Sequence, residues 1–239
     1  MRFEVELPGA DVVFSTRRGG VSEGPYESLN LGVLTGDERE RVIENRGLFA
    51  GDAGIDAERI AMGWQVHGTE VHEWDGPDGK RAFLDPQGGH LKVDAHVTRE
   101  PELGLLVLVA DCLPVALAGD GAVAMVHCGW RGLAGGIIER AAGRLGDGGP
   151  LSAAVGPGIG PCCYEVGDEV RAALGGHPGA AKGRALDLRA VADAQLRAAG
   201  VERIEHVDLC TSCRDDLFFS HRRDRGVTGR QGGMAWLTG

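Results

Sequence analysis

The sequence predicts a turn-rich, mixed α/β protein organised as one unit. Three observations carry this. Segments alternating in hydrophobicity recur from "FEVEL" near the start to "MAWL" near the end. Between them lie helical stripes bounded by cap and stop residues. The 40 glycines follow no collagen-like period and cluster where turns are needed.

Taken in order, "FEVEL" and "DVVFST" alternate as strands, and "STRRGGVSEGPYESLNLG" (15–32) reads as a long loop. Asp37 and Glu40 form a capping-box pattern that predicts a helix to about Ala50, stopped by Gly51. "WQVHGTEVHEW" (64–74) has strand character interrupted at Gly68. "KVDAHVTRE" and "ELGLLVLVAD" supply two further strands, the second apolar on both faces and hence central. "PVALA", "GDG" and "AVAMV" predict a hairpin with its tip near Asp120. Symmetric pairing about that tip sets residues 112–113 opposite 127–128. Leu133, Ile137, Ala141 and Leu145 form a helical stripe ended by Gly146. That helix would begin just beyond His127 and Arg131, with its N-terminal N–H groups turned toward the hairpin mouth. "SAAV" is a strand feeding the loop "GPGIGPCCYEVG". Asp168 and Asp187 are expected to cap two more helices, the second running from Leu188 to Ala199 and ending at Gly200. "RIEHVDL" and "MAWL" are the last strands, on either side of an arginine-rich loop.

The bulk numbers exclude several functions. A chain of 239 residues buries enough core to fold without a disulfide or structural metal. A net charge of −10 with no basic run disfavours nucleic acid and anionic membranes as partners. The apolar run Leu103–Ala110 is too short to span a bilayer. Glu4 and Glu6 interrupt what would be the apolar core of a signal peptide, so a cytoplasmic protein is expected. No repeat, linker or change of composition marks a second domain. The cysteines 112, 128, 162, 163, 210 and 213 lack the even spread of a disulfide framework.

Cys112 and His127 carry the first candidate chemistry. Thiolate and imidazole are zinc ligands, and His67, beside Gly68, is the natural third. The competing reading is a buried thiol and a satisfied core histidine; three separated residues make no recognised ligand motif, so spacing alone favours it. A third reading makes Cys112 a nucleophile and His127 its base, oriented by Asp111 or another carboxylate. "CTSC" (210–213) has no second C-x-x-C or His pair nearby and reads as two semi-buried thiols. "GPGIGP" lacks dinucleotide-loop spacing and reads as a tight turn. For an anion, "STRRGG" offers Arg17 beside the N–H groups of Gly19 and Gly20.

"FSTRRGGVSEGPYESLNLG", "TGDERERVIENR", "WQVHGTEV", "VADCLPVAL", "VHCGWRGLAGGI", "VGPGIGPCCYEVG" and "FFSHRRDRGVTGR" together resemble the YfiH/YlmD family, over nearly the whole chain and in order. The resemblance implies an α+β fold (mixed α/β layers) of mixed β-sheets flanked by helices, one domain over residues 1–239, monomeric. It implies Zn²⁺ held by His67, Cys112 and His127, with one coordination position open. It further implies phosphorolysis of adenosine, inosine and methylthioadenosine to base and sugar 1-phosphate, together with adenosine deamination. Arg17, Asn30 and the helix start near Arg131 are the candidates for holding phosphate. The family's older polyphenol-oxidase label is countered by eight histidines with no H-x-H pair, although copper outcompetes zinc for Cys/His ligands. Its peptidoglycan-editing label leaves a hydrolase of a cell-wall precursor as the alternative. Cys128 stands where the family usually has Ala; strand alternation points it away from His127.

Overall fold

The computed structural model of the protein describes residues 2–77, 82–84, 91–119, 121–146 and 149–239. In chain order, β1 (Arg2–Leu7) and β2 (Ala10–Ser15) lead through a long loop to α1 (Arg39–Ala53). Then come β3 (Ile60–Ala61), β4 (Val71–Trp74), β5 (Ala95–Thr98), β6 (Gly104–Val109), β7 (Leu113–Gly119) and β8 (Ala122–Cys128). Helices α2 (Trp130–Ala134) and α3 (Ile137–Leu145) precede β9 (Leu151–Val155) and α4 (Asp168–Leu174). The small strands β10 (Ala181–Lys182) and β11 (Ala185–Leu186), α5 (Leu188–Ala198), β12 (Val201–His206) and β13 (Gln231–Leu237) complete the order.

Two mixed sheets are stacked. The first has the order β1-β2-β13-β6-β3 and the second β12-β9-β7-β8-β5-β4. β3 runs parallel to β6, β4 to β5 and β9 to β12; the other pairs in these sheets are antiparallel. Side-chain alternation sorts each strand between two cores. Val12 and Phe14 of β2, Val107 of β6, Ala116 of β7 and Met125 of β8 fill the space between the sheets. Val13, Leu106 and Met234 face the other way, onto Phe49 and Ala50 of α1. Val115, Leu117, Ala124 and Val126 face Leu133, Ile137, Ala141, Val191 and Leu196 of the helices on the far side. The result is four layers, α/β/β/α, with each buried Leu, Val or Phe worth about 1.5–3 kcal/mol of transfer free energy. This is the expected α+β architecture of mixed sheets flanked by helices. Among the described residues, no helix is long and apolar enough to cross a membrane.

Several local expectations change. α1 runs through Gly51 to Ala53 and stops at Gly54, whose φ of 76° supplies the left-handed cap. Asp37 does not cap it: its carboxylate accepts from Ser22 Oγ and Asn30 Nδ2. The stripe Leu133–Leu145 belongs to two helices, broken at Gly135 and at Gly136 with φ 78°. Asp168 is the first residue of α4 rather than its cap. Asp187 does cap α5, accepting from the N–H groups of Arg189 and Ala190. Of 64–74, only Val71–Trp74 is a strand; His67 lies on a turn. The hairpin tip at Asp120 lies outside the described residues.

Candidate metal centre

The β7–β8 register pairs Leu113 with Cys128 and Pro114 with His127. Cys112 therefore sits one residue outside the ladder, where β6 has ended and β7 begins. The turn that puts it there is unusual. Asp111 has a φ of 94°, strained for a residue with a side chain. Three contacts hold it: Thr211 Oγ1 donates to its Oδ1 at 2.7 Å, Arg222 N to its Oδ2 at 2.7 Å, and Ile159 N to its carbonyl at 2.8 Å. The Asp111 carboxylate is thus committed to shaping the turn, not to orienting His127.

That second task belongs to Asp94, which sequence reasoning missed. Asp94 is fully buried just before β5. Its Oδ1 lies 2.8 Å from His127 Nδ1. The same carboxylate accepts from the backbone N–H groups of Val66 (3.1 Å), His67 (2.9 Å) and Gly68 (2.7 Å). One side chain thereby fixes the ring of one histidine and the turn bearing another. His67 has a φ of 60° and pays strain to sit there. Gln65 clamps the same loop to β6, exchanging 2.8 Å hydrogen bonds with both backbone groups of Leu108. The available signal was a lone acid in the apolar run "KVDAHV"; a carboxylate buried there needs partners.

The structure brings the three expected residues together. The ligand atoms of His67, Cys112 and His127 lie within 4.8 Å of one another. The two imidazoles meet edge to face at 4.8 Å between centroids. With Nδ1 donating to Asp94, His127 presents Nε2 to the cluster, the tautomer a metal ligand needs. Burial opposes ionisation of Cys112, but the positive His127 ring and hydrogen bonds from both histidines bring its thiol down to about 6. Burial likewise opposes charge on His127, but the Cys112 thiolate and the Asp94 hydrogen bond raise it to about 9. For Asp94, burial is outweighed by its hydrogen bond with His127 and by the backbone N–H groups, so its carboxyl falls below the ordinary value. A thiolate and two imidazoles are the donor set of a three-ligand zinc site, and all three residues line a cavity from which a further ligand could approach. Cys128 turns to the helical side, fully buried. Burial, reinforced by the Cys112 and Asp94 charges, raises its thiol well above the usual range, so it is inert.

The cluster lines a cavity of about 560 Å³. Trp64, Trp130 and Tyr164 supply aromatic wall; Arg131, Arg222 and Arg230 supply positive charge. The Arg131 guanidinium stacks 4.1 Å from the Trp130 ring centroid, and that of Arg222 lies 5.1 Å from the Tyr164 ring centroid. Burial, with the Cys112 and Asp111 charges, lifts the Tyr164 hydroxyl to about 12, so it stays a proton donor. The three anion candidates separate here. Arg131 lines the cavity from inside α2. Arg17 does not: its side chain donates to the carbonyls of Glu27 and Asp215 and stacks on Phe219. Asn30 is fully buried; its Oδ1 accepts from Arg230 N and Gly32 N, so it positions the wall behind the cavity. Arg222 and Arg230 come from "FFSHRRDRGVTGR", an irregular segment whose periodicity gives no direction for any side chain.

Gly129 marks how closely the cluster is packed. A Cβ there would lie 3.1 Å from both Cys112 Sγ and His67 Cδ2. Gly129→Ala is expected to displace both ligands by tenths of an ångström. Zinc affinity should fall by at least tenfold in a chelator competition, while the thermal midpoint of the metal-free protein moves little.

Comparison with known proteins gives matches over nearly the whole chain. Residues 11–238 match the family model described as multi-copper polyphenol oxidoreductase laccase. The chain is 41% identical to the purine nucleoside phosphorylase SCO2081 of Streptomyces coelicolor, over 96% of each chain. It is 37% identical to the purine nucleoside phosphorylase YlmD of Geobacillus stearothermophilus, over 93% of this chain and 88% of that one. The crystal structure of YlmD from Geobacillus stearothermophilus superposes with a TM-score of 0.89, at 36% identity, covering 97% of this chain and 93% of that one. That of the hypothetical protein YfiH of Bacillus licheniformis gives 0.87 at 33% identity, covering 96% and 93%.

Proposed function

Because the chain belongs to the family described as multi-copper polyphenol oxidoreductase laccase, which it shares with YlmD and YfiH, we propose that it is a zinc-dependent purine nucleoside phosphorylase. The substrates are adenosine, inosine and methylthioadenosine, cleaved by phosphate to base and sugar 1-phosphate. The observation that carries this reading is a Cys/His ligand cluster opening into a cavity that offers both aromatic and cationic walls. Its volume suits a nucleoside-sized ligand. The relatives' names supply the reaction class.

His67, Cys112 and His127 would hold the zinc, and bound zinc supplies Lewis-acid polarisation. The rest falls to the protein. Asp94 keeps His127 in one tautomer and His67 in place. Trp64 and Trp130 present apolar faces to the purine. Arg131 and Arg222 hold phosphate close to the sugar, concentrating an anion on a protein that otherwise carries −10. Tyr164, protonated at neutral pH, donates to an oxygen of phosphate or sugar. Adenosine deamination at the same centre is the second activity; the place of the ligand cluster on the cavity wall favours it. The chain works as one domain and as a monomer, which light scattering tests. A copper-loaded form is an alternative occupant of the same ligands.

The test is direct. The zinc-loaded protein is incubated with adenosine, with and without phosphate. Phosphate-dependent release of adenine and ribose 1-phosphate is expected; inosine formed without phosphate reports the deaminase. No product of either kind from metal-replete protein sinks the proposal, and turnover of a cell-wall precursor instead would establish the hydrolase. The arginines give a sharper check. Arg131→Ala should raise the KM for phosphate at least tenfold. Arg17→Ala should lower the thermal midpoint and leave the KM for phosphate unchanged.

A further inference from the structure

The vicinal pair Cys162–Cys163 and the pair Cys210/Cys213 are some 50 residues apart in sequence, and neither makes a metal motif alone. The fold closes the gap. The sulfurs of all four lie within 4.8 Å of one another, with Cys162 Sγ at 3.5 Å and Cys163 Sγ at 3.4 Å from Cys213 Sγ. All four are free thiols. Sequence spacing offers "CTSC" no second C-x-x-C or His pair; the fold sets a vicinal C-C pair beside it instead.

We propose that Cys162, Cys163, Cys210 and Cys213 bind a second zinc ion as a closed tetrathiolate site, structural rather than catalytic. The spacing fits. A tetrahedral zinc with Zn–S of about 2.3 Å sets its sulfurs about 3.8 Å apart, so the observed cluster needs only small side-chain rotations to become a ligand shell. The backbone is already arranged around sulfur. Gly160 N donates to Cys210 Sγ at 3.2 Å, the kind of N–H contact that stabilises a metal-bound thiolate. A Cβ at Gly160 would lie 3.3 Å from Cys162 Sγ, so the glycine lets the loop approach the sulfurs closely. Each cysteine pair sits on a tight turn: Cys163 N donates to Gly160 O, and Arg214 N to Cys210 O. The two turns are joined where Thr211 N donates to Gly158 O. A soft, four-sulfur, tetrahedral donor set selects zinc among the common divalent ions. Four protein ligands leave no open position, so the ion would do no chemistry on substrate.

Its role follows from its neighbours. The loop carrying Cys162 and Cys163 contributes Ile159 and Tyr164 to the cavity wall. Thr211, between the other two cysteines, holds the strained Asp111 that presents Cys112. The clamp therefore fastens two loops that buttress the first metal centre without touching its ligands.

The experiment uses the full chain, purified with reductant and without chelator, and measures zinc per chain by elemental analysis. The expected result is two equivalents. Cys112→Ala should retain one, and Cys210→Ser/Cys213→Ser should retain the other. Because the double variant may not fold, wild type stripped by chelator is refilled with Co²⁺. The intense thiolate-to-cobalt charge-transfer and visible bands of a tetrathiolate should persist in Cys112→Ala. Removing the second ion should also lower the thermal midpoint of Cys112→Ala, which has no catalytic metal to lose. A single zinc that disappears with Cys112, no tetrathiolate cobalt spectrum, iron in place of zinc, or a disulfide among the four cysteines in the reduced preparation would each overturn the assignment.

Discussion

Asp94→Ala is expected to unfold the metal centre and cost the protein much of its stability. The carboxylate is fully buried and accepts from His127 and from three consecutive backbone N–H groups. Alanine leaves those donors with no acceptor in a space too apolar to offer another, and each buried unsatisfied donor costs about 1–3 kcal/mol. Breaking a buried charged pair by removing one partner costs about 3–5 kcal/mol in total, because the losses share one cavity and do not simply add. The loop 65–68 loses its anchor at the same moment, so His67 leaves its strained conformation. Urea denaturation of metal-free Asp94→Ala should show this loss, and zinc affinity should drop at least about 10–100-fold, the usual effect of removing a carboxylate that orients a ligand histidine. Asp94→Asn separates the two roles: it keeps an acceptor oxygen for part of the set and so should recover stability better than metal affinity. Wild-type stability in Asp94→Ala would mean that water replaces the carboxylate at this turn.

Cys112→Ala should have the opposite profile, losing function while the fold survives. Cys112 lies on a turn, outside the β7–β8 ladder, and contributes one sulfur to the ligand set. Its thiolate is also the charge that most raises His127. Without it the centre offers only two imidazoles, too few donors to hold zinc against the millimolar competitors of an ordinary buffer. Turnover of nucleoside should fall below detection, bound zinc at this centre should be lost, and the thermal midpoint of the metal-free protein should stay within a few degrees. In the metal-free variant His127, now sensing Asp94 alone, should titrate below the value of about 9 that it has beside the thiolate. Full activity in a variant lacking metal at this centre would falsify the zinc mechanism and leave the cationic cavity to act by itself.

How much of this was legible in the chain depends on whether regular structure carried it. β2, β6, β7, β8 and α5 announce themselves by period and caps, and the hairpin register alone places Cys112 near His127. His67 is different: it sits on a turn with positive φ that no periodicity encodes, so its place beside Gly68 made it a candidate and the family resemblance was needed to favour it as a ligand. The α2–α3 break is hidden because the stripe from Leu133 to Leu145 continues across the Gly135–Gly136 pair. Arg17 and Arg131 look alike as loop-side cations; only the fold shows one tied to carbonyls and the other at the cavity. Asp94 shows in the sequence only as a lone acid in "KVDAHV", with no sign of its partners, for a related reason. Its partners are backbone groups 26–28 residues upstream and a ring 33 residues downstream, and long-range hydrogen bonds leave no local pattern. The four-cysteine cluster is hidden the same way, since it forms where the irregular loops after β9 and β12 meet.

The position of β13 has a consequence for biosynthesis. This strand, last in sequence, lies between β2 and β6 and pairs with both. Until Gln231–Leu237 have left the ribosome, the β1–β2 hairpin and the β6–β3 pair have exposed edges and nothing to join them. The emerging chain therefore carries β2, and later β6, as open templates until β13 is made. Cooperative closure of the sheet, and with it the wall behind the cavity, waits until β13 has emerged. A holding chaperone at that stage should raise the yield of native protein far more than one added to the finished fold.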